Sequence, residues 1–270
     1  MPGGRAGARA SARLAFLAGA SAVDYETRAW TGEGRDIGLY QAHGLARIVL
    51  PDPRPHPSPL VESGPMASVA PPAPTYRPVL PRALRDEGRI SDAQTETVIY
   101  AGEAHSGLLP AWWTPGEAAH RLVLSRDDAP GAVQLRRGFF LGDGTGCGKG
   151  RQIAAVIADN MAQGRTRALW LSRSDALLED ARRDWAAIGG AASDLTPLNS
   201  WKLGETVRLD RGVVFTTYAT LRQPARGPKM SRLDQIVAWL GEDFDGVIAF
   251  DEAHAMANAA GGGKGARGAK

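Results

Sequence analysis

The chain has 270 residues, 43% of them hydrophobic, with a formal net charge of +3 and an isoelectric point near 9.2. That length and apolar content support one large domain or two small ones and exclude wholesale disorder. The mild basic excess permits contact with nucleic acid or another polyanion without requiring it, and it is carried almost wholly by arginine, with lysine at five positions.

A single cysteine, Cys147, excludes an intrachain disulfide and a cysteine-based metal site, and it suits a reducing, cytoplasmic compartment. No apolar run reaches the length that spans a bilayer, so no membrane partner is expected. Near the start, arginines precede LAFLAGASAV, a stretch faintly like a signal peptide. It is better read as a frayed or amphipathic leader, or as sequence upstream of the true start.

Residues 1–50 carry no usable motif, although IGLYQAHGLARIVL has room for one short strand or helix. Residues 51–81 hold eleven of the eighteen prolines. Such density excludes helix and central strand and favours extended, polyproline-like backbone, as in a linker or a strap over a domain surface. Residues 82–270 form the expected lobe. In ISDAQTETVIYAGEAH, Ser91 or Asp92 can cap a helix, and an unassigned region with Trp112 and Trp113 follows.

An alternation then repeats. GFFLGD is expected as a buried strand and RQIAAVIADNMAQG as a helix closed by Gly164. RALWLS is a strand, DALLEDARRDWAAIGG a helix, GVVFTT a strand, SRLDQIVAWLGE a helix and GVIAFDEAH a strand. Continuous apolar strands alternating with helices mean a parallel sheet covered on both faces, an α/β fold. The closing GGGKGARGAK is glycine-rich, basic and without expected structure, so the chain looks cut rather than finished.

Chemistry concentrates at GDGTGCGKGRQ. Gly142, Gly144, Gly146, Gly148 and Gly150 let backbone N–H groups turn toward a phosphate, and the next helix presents its N-terminus to the same anion. With Asp143, Thr145, Cys147 and Arg151 they make a candidate cradle for ATP, from which Lys149 reaches the terminal phosphates. The usual loop places Ser or Thr after the lysine to hold Mg²⁺, whereas here Gly150 has no side chain. Mg²⁺ keeps several waters by preference, so a water can stand in for the missing hydroxyl. Cys147 reads as a small filler, with redox sensing as the minority alternative.

About a hundred residues further on, VIAF runs into Asp251, Glu252, Ala253 and His254. Asp251 would hold Mg²⁺ through its water shell, and Glu252 would orient and deprotonate the attacking water.

Taken together, GDGTGCGKGRQ and DEAH resemble motifs I and II of superfamily 2 helicases and translocases, a RecA-like P-loop NTPase fold. The loop is similar to the DExGxGKT form of Swi/Snf-type remodellers, which accounts for Asp143. More narrowly, RRGFFLGDGTGCGKGRQIA, LSRSDALLEDARRDW and FTTYATLR resemble the strawberry notch family, whose loop commonly reads GKG. The resemblance spans roughly residues 56–270. It implies adenine reading by Gln94, although a plain helix-surface glutamine fits that position as well. It also implies nucleic-acid backbone contacts from Ser172 and Arg173 and from Thr216 and Thr217, with Tyr218 nearby, and a coupling role for His254. Ordinary strand ends and caps would explain the same residues.

In that superfamily ATP sits between two RecA-like lobes, and the second supplies an arginine finger. Neither it nor a Ser-Ala-Thr motif occurs in the sixteen residues after His254. The expectation is thus the first lobe of an ATP-dependent nucleic-acid motor, with DNA favoured over RNA, hydrolysing ATP weakly or not at all without its partner lobe. A nucleotide-binding interaction module without turnover is the alternative. A P-loop phosphotransferase would need a lid and an acceptor pocket that are not identifiable.

Overall fold

The computed structural model describes residues 14–32, 39–116, 121–223 and 230–256. They fall into two compact units, one from residues 21–78 and 85–152 and the other from the described parts of 1–20, 79–84 and 153–270. This division does not follow the boundaries expected after residues 50 and 81. The closing GGGKGARGAK lies outside the described residues. Among them, no helix is long and apolar enough to cross a membrane.

The N-terminal part is built of short pieces: β1 (Ala20–Ala22), β2 (Glu26–Thr27), β3 (Tyr40–Ala42), β4 (Ile48–Val49) and β5 (Val61–Ser63). Two antiparallel ladders, β2 with β4 and β3 with β5, close this region, so IGLYQAHGLARIVL contributes to two strands rather than one element. The proline-rich segment is largely extended, with one exception. Helix α1 (Gly64–Ala67) makes a single turn, capped by the Ser63 hydroxyl, which accepts from the Met66 N–H. Pro65 sits in that first turn, where a missing N–H breaks no helical bond. The reading that prolines exclude helix there therefore fails for one turn.

After β6 (Val79–Pro81) and α2 (Arg82–Asp86) comes α3 (Asp92–His105). Ser91 and Gln94 form its capping box: Gln94 N–H donates to the Ser91 hydroxyl at 3.3 Å, and Ser91 N–H donates to Gln94 Oε1 at 3.0 Å. The proline-rich strap is tied along α3, where the Glu103 carboxylate accepts the N–H groups of Thr75 and Tyr76 at 2.8 Å each. Burial alone would raise the Glu103 pKa, but these bonds and the Thr75 hydroxyl hold it below the ordinary carboxylate value.

Where the sequence left Trp112 and Trp113 unassigned, β7 (Leu108–Pro115), β8 (Leu122–Ser125) and β9 (Val133–Arg136) make an antiparallel sheet in the order β8-β7-β9. GFFLGD, expected as a buried strand, is in no strand. It pairs with none of the described strands, and Phe140 is 86% exposed. An apolar run becomes a strand only when a ladder partner takes its N–H and C=O groups.

Six of the following elements are those expected, α4 (Lys149–Ala162), β10 (Arg167–Ser172), α5 (Leu177–Ala187), β12 (Gly212–Thr217), α7 (Arg232–Leu240) and β13 (Val247–Phe250), while β11 (Leu195–Pro197) and α6 (Tyr218–Leu221) are additions that the sequence did not announce. Helix α4 ends at Ala162 and is closed by Gly164, whose φ of 92° is left-handed backbone that glycine adopts without strain. The four strands form an all-parallel sheet in the order β11-β12-β10-β13. β12 is buried along its whole length and β10 nearly so, which is what runs such as GVVFTT require. Leu169, Leu171 and Val214 share a core with Ile236, Trp239 and Leu240 of α7. β13 forms one edge, with Ile248 and Phe250 exposed.

One ion cluster fastens β5 to α3. His43 lies 3.3 Å from Glu62 through Nδ1 and 3.4 Å from Glu96 through Nε2. The Glu96 hydrogen bond, opposed by burial and reinforced by Glu62, raises the His43 pKa from 6.5 to about 9. Because the folded value is the higher one, the stabilisation is fully present below about pH 6.5 and lost as pH rises through 9. We expect His43→Leu to destabilise the chain at pH 6 by about 1–3 kcal/mol. The difference from the parent should close by pH 10 when thermal unfolding is followed at both values.

Candidate functional site

The glycine loop and the acidic turn fall in different compact units, and each is a local construction. In the loop, Lys149 opens α4 and its ammonium folds back, donating to the carbonyls of Asp143 at 2.9 Å and Gly144 at 3.1 Å. Those carbonyl contacts can be exchanged for an anion's oxygens at little cost, since a lysine head is a mobile point charge. Arg151 points elsewhere, donating to the Arg89 carbonyl at 3.2 Å. Thr145 is exposed.

Two buried glutamines converge on the Cys147 carbonyl. Gln94 Nε2 donates to it at 3.1 Å from the first turn of α3, and Gln152 Nε2 donates at 3.1 Å from α4. Gln152 Nε2 also donates to the Asp143 carboxylate at 2.9 Å. A trans peptide holds its C=O and N–H antiparallel. Drawing the Cys147 oxygen toward the glutamines therefore turns the Gly148 N–H away from them, free for an anion. Gly148 itself has φ 74°, and a Cβ built there would stand 2.4 Å from Gln94 Nε2.

Gln94 was expected to read adenine, but its side chain is 97% buried, with one end in the helix cap and the other on the loop. Gln152 was missed by the sequence reading. Its Oε1 is buried without a partner among the described residues. The available signal was a polar residue at an apolar position of α4, three residues after Lys149.

In the second unit the parallel register sets Leu171 of β10 beside Phe250 of β13, so the next residues, Ser172 and Asp251, emerge together. The Asp251 N–H donates to the Leu171 carbonyl at 2.8 Å, and the Ser172 hydroxyl donates to Asp251 Oδ2 at 3.0 Å. From the start of α6, directly after β12, the Tyr218 hydroxyl donates to the Asp251 carbonyl at 2.7 Å. Burial, and then the charges of Asp251 and Glu252, push the Tyr218 pKa up to about 12, which keeps it a donor at neutral pH. Glu252 has a left-handed φ of 53°, and its carboxylate lies 3.2 Å from His254 Nδ1.

Among the residues expected at a nucleic-acid backbone, Ser172 is fully buried and occupied by Asp251, while Thr216 and Thr217 are buried. The Thr217 hydroxyl caps α6, accepting from the Thr220 N–H at 3.2 Å. Arg173 alone of the four is exposed. The shared reason is geometric: the ends of central strands are covered, and their hydroxyls satisfy nearby backbone and carboxylate groups.

Among the described residues, no group of three or more His, Cys, Asp or Glu side chains could hold a metal by itself. The acidic turn nonetheless fits Mg²⁺, which takes few protein ligands and keeps its waters. Ser172 uses Asp251 Oδ2 and leaves the other carboxylate oxygen for a metal-bound water.

A family model described as P-loop containing NTP hydrolase pore-1 matches residues 55–270. The strawberry notch homolog of Caenorhabditis elegans is 38% identical over 212 residues, covering 75% of this chain and 10% of that protein. Strawberry notch homolog 1 of Gallus gallus is 37% identical over 210 residues, 75% of this chain and 15% of the relative. FORGETTER 1 of Arabidopsis thaliana is 38% identical over 208 residues, 76% and 14% respectively. The chain thus spans a small fraction of the length of the curated relatives it matches. No solved structure matches it.

The loop geometry predicts an ordered pair of outcomes. Gly148→Ala should lose ~1–2 kcal/mol of stability to left-handed strain and a further increment to displacement of Gln94. Gly146→Ala, at φ 94° with nothing within 4 Å, should lose only the strain. Urea unfolding of both variants checks the order.

Proposed function

This chain belongs to the strawberry notch family of P-loop NTP hydrolases, and we propose that it is the ATP-binding lobe of a nucleic-acid motor that translocates along, unwinds or remodels its substrate. Nucleotide binding follows from the family. ATP as the nucleotide, DNA rather than RNA as the polymer, a second RecA-like lobe as the partner and a reducing, cytoplasmic setting are parts of the proposal. The observation that carries it is the braced loop, in which the Gly148 N–H is turned outward beside a lysine held only by exchangeable carbonyl contacts.

In this reading the loop N–H groups and Lys149 bind the phosphates, and the N-terminus of α4 adds its dipole. Asp251 is the residue that would hold Mg²⁺ through water, and the ion would supply neutralisation of phosphate charge. Glu252 orients the attacking water and accepts its proton, while the exposed imidazole of His254 beside it couples that carboxylate to later motifs. Arg173 is the exposed candidate for a nucleic-acid phosphate, a contact that gives affinity without sequence choice. Support for turnover over a static module comes from the family's description as NTP hydrolases and from the acidic turn, which a binding-only site does not need.

Calorimetry with Mg²⁺-ATP should give micromolar binding to the chain, weakened roughly tenfold or more by Lys149→Ala. Glu252→Gln should keep that affinity while any nucleic-acid-stimulated hydrolysis falls by about 10²-fold or more. Equal binding by the parent and Lys149→Ala would refute the site. Binding without turnover, with or without added DNA or RNA and the second lobe, would favour the nucleotide-switch alternative.

A further inference from the structure

Three residues from three neighbouring strand ends meet at the acidic turn. Strand order β12-β10-β13 sets Tyr218, Ser172 and Asp251 side by side at the carboxyl edge of the sheet. Ser172 closes β10 and donates to the Asp251 carboxylate at 3.0 Å. Tyr218 follows β12 and reaches across β10 to donate to the Asp251 carbonyl at 2.7 Å. Both residues are buried, so neither hydroxyl competes with bulk water for its acceptor.

These two bonds act on different parts of one residue. Ser172 holds the carboxylate in one rotamer. Tyr218 holds the carbonyl, and with it the plane of the Asp251–Glu252 peptide. That peptide leads into Glu252 at φ 53°, a left-handed conformation costing a side-chain-bearing residue ~1–2 kcal/mol, which persists only where neighbours over-determine it. Besides the Tyr218 bond, the described backbone hydrogen bonds of the turn are the Asp251 N–H on Leu171 and the Ala255 N–H on the Glu252 carbonyl, at 2.8 and 2.9 Å, and the Glu252 side chain meets His254 at 3.2 Å.

We infer that Ser172 and Tyr218 are positioning residues of the acidic turn, Ser172 setting the Asp251 carboxylate and Tyr218 setting the backbone that aims Glu252. Both act through Asp251 and Glu252 rather than on a ligand directly. The inference rests on the proposed ATP-binding role only for its consequence, since the geometry belongs to the turn itself. It gives the buried hydroxyls of LSRSD and TTYATLR a task other than contact with a polymer.

Hydrogen exchange of the full 270-residue chain, read over residues 247–256, tests the geometry without any ligand. Tyr218→Phe and Ser172→Ala each remove one hydroxyl and leave the packing atoms. Each should speed exchange at Asp251 and Ala255 roughly tenfold, with exchange in β10 and β12 unchanged. Calorimetry of ATP binding with and without Mg²⁺ supplies a second readout. Ser172→Ala should lose several-fold of the Mg²⁺-dependent gain in affinity while Mg²⁺-free binding stays as in the parent. Unchanged exchange in both variants would overturn the inference, and so would an unchanged Mg²⁺ gain in Ser172→Ala. A parent chain that binds no ATP would contradict the proposed function, and the exchange result would still decide the role of the two hydroxyls.

Discussion

A trans peptide has one oxygen and one N–H on opposite sides, so whatever holds the oxygen aims the hydrogen. At Cys147 the oxygen is held twice, by Gln94 and by Gln152. Both amides are buried, and each is anchored at a helix start: Gln94 by its cap bonds to Ser91, Gln152 by its own N–H on the Gly148 carbonyl. The result is a loop set before any anion arrives. A preset loop binds better than a mobile one because ordering has already been met by folding. The residue between the braces and the anion must be glycine, since Gln94 fills the space a Cβ at Gly148 would take.

The acidic turn obeys the same logic with different donors. Parallel register delivers Ser172 and Asp251 to one height, and β12 delivers Tyr218 from the other side of β10. Hydroxyls then do for Asp251 what amides do for Cys147, holding a carboxylate and a carbonyl so that the next residue takes an otherwise costly conformation. The loop and the turn are thus each organised by buried side chains. The shape of the cradle comes from Gln94 and Gln152, and what Gly150 lacks is a Mg²⁺ ligand, a place a water can take.

Much of this was legible in the sequence, and the losses have a common cause. GVVFTT, RALWLS and VIAF were readable because a strand buried on both faces must be continuously apolar. The cap of α3 was readable because Ser91 and Gln94 are three residues apart, within one turn. The second role of Gln94 was not, because its partner Cys147 is 53 residues away. The bond of Ser172 was hidden for the same reason: its acceptor Asp251 is 79 residues distant. GFFLGD had the right composition for a strand but no described partner to pair with. The β7–β9 sheet was unread because Trp112 and Trp113 sit in a run without clean alternation. Local chemistry was thus visible, and long-range pairing was what the sequence withheld.

The most direct measurement is a crystal structure of the chain with Mg²⁺ and a non-hydrolysable ATP analogue. The account predicts a phosphate oxygen on the Gly148 N–H, Lys149 released from the Asp143 and Gly144 carbonyls onto the phosphates, and both glutamine amides still on the Cys147 oxygen. Phosphates bound elsewhere, or bound only after the two glutamines have let go of that oxygen, would contradict it.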